Sequence, residues 1–500
     1  MTHNTSTVNG NLPGEHILQR RHLWILAGAC LLLLVESLTL INTRWVEDDS
    51  WYSSKGWTLA QEGRIRMSVF PDDPEYVTNV ITTLHADTLG AVFAVFGLGI
   101  LQARGTSAIF AVGVVVVVFF LASHLGGRLC GVLAAVLVAT DSILVVAART
   151  ARPEAETVLL CWLALLLLER AIARHSAWLG FASGLACGLG LICHPLALPF
   201  LAAMVLFCAI QYGVRVWKEP LAWTLVAGTV LVLTPYFLWC FSDAAHVAAF
   251  RAGYLERVAE PFRHRVVGEP RRWYDFIGLS SQRVPLLPHV PLRLQIAVIL
   301  IVAFVFFARR DRRFGRAALI LLLLNLAWLI FLVNKGPRYI VMLSPLFAIV
   351  LAWFGARNIG SRYQGVAVAA LAVVLITQIG GNCYWLYRYR GANYAAVTGE
   401  LRKIVPAGSS VYGAITFWMA LHDRTYYAYD RTTLQSAVEK LQPQYMILYD
   451  RVMMNGSGYE VDNFADLRTG ATEFVRSHGV LAGRVSNSFY GDLEIYRVSY

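Results

Sequence analysis

Apolar blocks of roughly 16 to 20 residues recur from Leu23 to Gly381, separated mostly by short charged loops, and a bilayer core takes about 20 such residues per helical span. Long apolar runs of that length dictate helices, since a helix satisfies its own backbone groups inside lipid. Of the 500 residues, 57% are hydrophobic and 15% charged, more apolar and less charged than soluble domains are. A water-soluble monomer is excluded. The net charge of +11 sits mostly in short loops, where cations report orientation rather than a nucleic-acid surface. Membrane lipids, and no nucleic acid, are therefore the expected surroundings. The eight cysteines include no C-x-x-C pair and read as small buried hydrophobes.

The blocks predict about 11 transmembrane helices: Leu23–Ile41, Ser107–Ala122, Leu129–Ala147, Ala155–Ile172, Trp178–Cys193, Leu196–Tyr212, Leu221–Phe241, Leu292–Phe307, Arg316–Val333, Tyr339–Phe354 and Val366–Gly381. With residues 1–22 as a cytoplasmic tail, every inner loop carries Lys or Arg, as the positive-inside rule requires. The outer loops 42–106 and 242–291 and everything after Asn382 then share the opposite face. The expected location is the cell (inner or plasma) membrane, multi-pass. His85–Gln102 is apolar enough to span, yet a span there would invert every later loop, so it reads as an amphipathic or re-entrant helix on the outer surface. The 23–384 membrane domain is followed by a change of character at 385–500. Short alternating runs such as Ser410–Ile415, Tyr445–Tyr449 and Leu493–Val498 predict an extracytoplasmic, soluble α/β domain.

The chemistry-bearing residues gather on the outer face. Glu47-Asp48-Asp49 follows the first span, where ionised carboxylates are costly unless hydrated or paired. The triplet reads equally as a functional cluster or as a solvated helix start capped by Asp49 or Ser50. Arg149 and Arg152 in the turn Arg149–Glu154 run against the positive-inside bias, and their planar forks suit a phosphate; headgroup snorkelling is the alternative. Lys335 and Arg338, just before Tyr339, repeat that exception. His85 and His194 could hydrogen-bond a phosphate or be ordinary polar loop residues. Arg271 and Arg272 lie in a loop rich in Arg and aromatics that could cover a lipid-phosphate cavity, contact an acceptor or anchor at the interface. Phosphate-loop, H-E-x-x-H and G-x-S-x-G motifs are missing from the sequence, which argues against nucleotide hydrolysis, zinc proteolysis and serine hydrolysis.

With these motifs in order, the chain resembles the GT-C superfamily of polytopic glycosyltransferases, in the branch holding bacterial aminoarabinose transferases of lipid A and protein O-mannosyltransferases. Asp48-Asp49-Ser50-Trp51-Tyr52 is similar to the family's D-E-x-x-Y start of the first outer loop, with Asp49 for Glu. The helix after His85 resembles its juxtamembrane helix, Ala86-Asp87 replacing Pro-Pro. Arg149–Glu154 resembles R-x-A-R-P-D with Glu for Asp, and Lys335–Tyr339 resembles K-x-x-R-Y. The resemblance implies a GT-C-like α-helical membrane fold and sugar transfer, with inversion, from a polyprenyl-phosphate donor to a glycolipid, glycan or protein acceptor. It implies Asp48 as base and Asp49 as a second catalytic group. Arg149, Arg152, Lys335, Arg338, Tyr339 and His85 would lie on the donor phosphate, while Tyr52, His194, Arg271 and Arg272 contact donor or acceptor. Asp49 and Glu154 would bind a divalent metal, Mg or Mn, or position the acceptor. A transporter or flippase for a phosphorylated lipid, or a non-catalytic membrane scaffold, is the competing expectation.

Overall fold

The computed structural model describes residues 20–39, 41–42, 47–69, 80–251, 295–296, 298–299, 301–303, 319–320, 322–327, 330, 337–429, 432–449, 463–487 and 490–500. Within them the chain is a helical membrane bundle followed by a mixed sheet. The bundle helices are α1 (Arg20–Thr39), α4 (Ile100–Gly126), α5 (Arg128–Ala139), α6 (Ser142–Ala148), α7 (Glu154–Arg174), α8 (Ala177–Cys193), α9 (Leu198–Tyr212), α10 (Pro220–Cys240), α11 (Ser344–Asn358) and α12 (Gln364–Arg388). Between α1 and α4 lie α2 (Glu47–Glu62) and α3 (Thr83–Phe96). Among the described residues, five helices have the length and hydropathy to cross a bilayer, or six when α5 and α6 count as one broken span. α7, α8 and α11 occupy three further predicted spans, α7 with more charge and the other two shorter. The predicted spans Leu292–Phe307 and Arg316–Val333 lie largely outside the described residues.

Two boundaries differ from the sequence expectation. The predicted outer helix His85–Gln102 divides at Gly97, whose φ of 76° ends α3. Leu98 to Gln102 instead lead into or begin α4, so the following span is longer than the predicted Ser107–Ala122. α3 has 14 residues, about 21 Å of helix against a hydrocarbon core of roughly 30 Å; it is too short to cross. The predicted span Leu129–Ala147 is broken, with a 61° bend between α5 and α6. Asp141 causes the restart: its side chain accepts the Ile143 N–H at 2.8 Å and caps α6. Periodicity alone cannot see such a break, because both halves are equally apolar.

Small residues let α8 and α10 touch. A Cβ on Gly184 would lie 2.1 Å from the Leu225 carbonyl oxygen, and one on Gly228 would lie 2.2 Å from that of Phe181. Gly180, Gly184 and Gly188 form one four-residue-spaced stripe, the pattern by which membrane helices approach closely.

After α12, α13 (Tyr394–Ile404) leads into a five-stranded sheet of order β2-β1-β3-β5-β4. Its strands are β1 (Ser410–Gly413), β2 (Thr425–Ala428), β3 (Tyr445–Tyr449), β4 (Gly479–Asn487) and β5 (Gly491–Val498). β2, β1 and β3 run parallel, and β5 and β4 close the sheet antiparallel. α14 (Asn463–His478) precedes β4. The sheet domain is packed onto α2 and α3: Met67, Val69, Leu89 and Phe93 share one core with Tyr394, Trp418 and Leu421. Polar contacts lock the same joint. Ser50 donates to the Ile415 carbonyl at 2.8 Å, and the Tyr394 N–H to that of Asn42 at 3.1 Å. The rings of Trp57 and His422 meet edge-on at 5.0 Å.

Gly184→Leu should separate α8 from α10 and destabilise the bundle by about 1–3 kcal/mol or more, the usual cost of overpacking. The expected result is a lower midpoint in heat-challenge size-exclusion chromatography of the detergent-solubilised protein.

Candidate active site

The acid triplet opens α2, where unpaired backbone N–H groups and the helix dipole favour carboxylates. Consecutive helical residues point about 100° apart, and the two aspartates have separate environments. Asp49 is fully buried. Its Oδ2 takes a hydrogen bond from Arg104 Nη2 at 2.8 Å, and its Oδ1 takes one from the Ala151 N–H at 2.5 Å. Arg104 in turn donates to the Ile41 carbonyl at 2.8 Å. Asp48 keeps a quarter of its side chain exposed and pairs with Arg152 Nη1.

Arg152 is nearly buried and forks between two acids. Besides Asp48 it meets Glu154, whose Oε1 and Oε2 lie 2.9 and 3.0 Å from Nε, with a second bond from Nη2. Arg149, three residues back at the end of α6, is buried with its guanidinium 5.0 Å from the centre of the Trp385 ring. Its Nη1 has no hydrogen-bond partner among the described residues. Burial, above all, pulls its pKa down to about 10, and neighbouring Arg104 adds to this, while Tyr389 and Asp49 oppose it. It remains a cation at neutral pH with a donor to spare.

Tyr52, one turn after Asp48, supplies an aromatic wall. Arg152 lies 6.0 Å and Lys55 5.4 Å from its ring centre, and the His85 ring stands edge-on at 5.7 Å. His85 is fully buried on α3; its Nδ1 is 2.8 Å from Glu156 Oε2, whose partner oxygen accepts from Thr88 at 2.9 Å. His85 Nε2 meets no hydrogen-bond partner among the described residues.

The cluster therefore brings together Asp48, Asp49, Tyr52, His85, Arg149, Arg152 and Glu154. His194 caps the turn Pro195–Ala197 through the Leu196 N–H at 3.1 Å, and its ring lies 6.1 Å from buried Tyr339. Its neighbour Cys193 touches Thr157 and Pro153 at the start of α7, so these two segments meet beside the arginine turn. Lys335, Arg271 and Arg272 lie outside the described residues, as does the side chain of Arg338, whose backbone belongs to the 3-10 turn Pro337–Met342. Arg104, Glu156, Lys55 and Trp385 complete the surroundings and were not singled out from sequence. For Lys55 a signal existed: positions 48, 52 and 55 share one helix face.

The residues present do not suit a divalent cation held between Asp49 and Glu154. Both oxygens of each carboxylate already accept from a guanidinium or a backbone N–H, and the adjoining positive charge opposes a metal. Among the described residues no three His, Cys, Asp or Glu side chains converge as a ligand set.

Residues 84–239 match the family described as dolichyl-phosphate-mannose-protein mannosyltransferase. ArnT from Cupriavidus metallidurans, bound to undecaprenyl phosphate, superposes with a TM-score of 0.62 at 13% identity, over 97% of this chain and 99% of that one. The fold is that of the GT-C superfamily. Two further structures share this GT-C fold. One is the oligosaccharyltransferase AglB from Archaeoglobus fulgidus in complex with an inhibitory peptide and a dolichol-phosphate, with a TM-score of 0.52 at 14% identity over 96% of this chain and 74% of that one. The other is the mycobacterial arabinofuranosyltransferase AftD, with a TM-score of 0.52 at 15% identity over 97% and 40%. No curated protein sequence matches significantly.

The two aspartates should respond differently to truncation. Asp49→Ala strands a buried guanidinium, a loss of about 3–5 kcal/mol, whereas Asp48→Asn, at a partly exposed site, should change stability by under about 1 kcal/mol. Thermal unfolding of the purified variants measures both.

Proposed function

We propose that this protein is an integral-membrane glycosyltransferase that moves a sugar from a polyprenyl-phosphate carrier to an acceptor hydroxyl at the non-cytoplasmic face. The observation that carries the reading is the pairing of partly exposed Asp48 with Arg152, in the same turn as buried Arg149, whose Nη1 has no hydrogen-bond partner among the described residues. One carboxylate is paired with a guanidinium, and a second guanidinium lies three residues away in the same turn. That is the equipment for displacing a phosphate from an anomeric carbon. Fold neighbours bound to undecaprenyl phosphate or dolichol-phosphate support a donor of this kind.

In the proposed reaction the acceptor oxygen attacks C1 of the sugar from the side opposite the phosphate. The C1–O bond to phosphate breaks, its electron pair leaves with the phosphate, and Asp48 takes the acceptor proton. Attack from the opposite side inverts the configuration. Arg149 and Arg152 compensate the growing charge on the leaving phosphate, so the reading assigns no step to a metal on Asp49 or Glu154. Tyr52 stands beside Arg152 and His85 beside Tyr52, and His194, Tyr339, Lys335, Arg338, Arg271 and Arg272 are assigned to the donor and acceptor on the family pattern alone.

Charge distribution supports the side. The helix ends opposite the cluster carry Arg20, Arg21, Arg128, Arg174, Arg215, Lys218, Arg357 and Arg362, with exposed Trp24, Trp178, Trp217 and Trp223 beside them. Basic loops are a feature of the cytoplasmic side, and aromatic belts mark either membrane interface.

The test incubates purified protein with radiolabelled polyprenyl-phosphate sugars and envelope extract and follows both labelled product and released lipid phosphate. Asp48→Asn should lower transfer by about 10²–10⁴-fold, the usual worth of a general base, while keeping the thermal shift produced by undecaprenyl phosphate. Arg149→Ala should lose that shift. Transfer unaffected by Asp48→Asn would overturn the enzyme reading in favour of a carrier or scaffold. Dialysis against a chelator should leave lipid-phosphate binding intact.

A further inference from the structure

Thr82 immediately precedes α3 with φ 60° and ψ 37°, the left-handed region that a β-branched residue rarely adopts. Such a conformation persists only where surrounding contacts hold it. Here it is held from two sides. The ammonium of Lys55, 2% exposed on α2, lies 3.0 Å from both the Ile81 carbonyl oxygen and Thr82 Oγ1. From α10, the Tyr236 hydroxyl donates to the Val80 carbonyl at 2.8 Å.

The next turn of chain carries His85 and Thr88, the two residues that grip Glu156. A residue beyond Lys55, Gly56 lets α3 come so near that a Cβ there would sit 2.6 Å from Leu89 Cβ. Little slack remains between α2 and α3, so the angle at which α3 leaves Thr82 sets where His85 meets Tyr52 and Glu156.

We propose that Lys55 is a positioning residue: it holds residues 80–82 in their strained conformation and so sets the placement of α3 against the arginine turn. It acts on the bordering helix and not on the reacting atoms. Its effect on transfer rests on the function proposed above, but its effect on α3 does not.

The test pairs Lys55→Met, which keeps the side chain's length and removes its donors, with Thr82→Gly, because glycine accepts positive φ without support. Hydrogen exchange of the full-length protein in detergent is the first readout. Lys55→Met should speed exchange of amides 83–90 by about tenfold or more, as expected for local opening, and adding Thr82→Gly should restore most of the protection. In transfer assays Lys55→Met should raise KM for the lipid-linked donor about tenfold with kcat changed far less, the pattern of lost binding geometry.

Unchanged exchange in Lys55→Met, or equally fast exchange in the double variant, overturns the proposal. If Lys55→Met does not fold, the double variant must fold, and its failure to do so overturns the proposal too. Normal exchange behaviour without any sugar transfer by the wild type would leave this clamp standing and sink the function.

Discussion

A buried carboxylate joins the whole rim of the bundle. Asp49 ties the start of α2 to Arg104 at the head of α4 and to the backbone of Ala151 in the arginine turn. A charge removed from water must be paired with good geometry or it destabilises its surroundings, so three segments distant in sequence are held in one arrangement. The joint also explains why two adjacent aspartates divide their labour. A rotation of about 100° per helical residue turns one inward to hold the structure and leaves the other partly exposed beside Arg152.

The sheet domain belongs to the same construction. It covers α2 and α3 through an apolar core and through Ser50, one residue from Asp49. The helix that carries the proposed base is therefore clamped between the membrane bundle below and the sheet above. Bracing of α2 and α3 follows from this packing. A functional site needs its supporting residues locked, and the proposed base sits between two such layers.

On the opposite side of the cluster, the arginine turn hangs on a short helix restarted at membrane depth by Asp141. The break aims α6, and with it Arg149, toward Trp385 at the end of α12. Apolar length alone would have carried a straight helix past that point. The left-handed turn at Thr82 before α3 is a comparable local irregularity.

Hydropathy adds up along a chain, and lipid demands helices; the helical membrane class and the places of most spans were therefore legible in the residues themselves. The motifs Asp48–Tyr52, His85 and Arg149–Glu154 were legible for a similar reason, being short and local. Which carboxylate meets which cation was not, because Arg104 and Glu156 reach their partners across tens of residues and carry no local signature. The division of the apolar run at Gly97 and the break at Asp141 were also hidden, since one backbone angle and one capping bond leave composition unchanged. Tertiary structure decided these matters because buried charges choose partners by distance in space, a quantity that order along the chain does not contain.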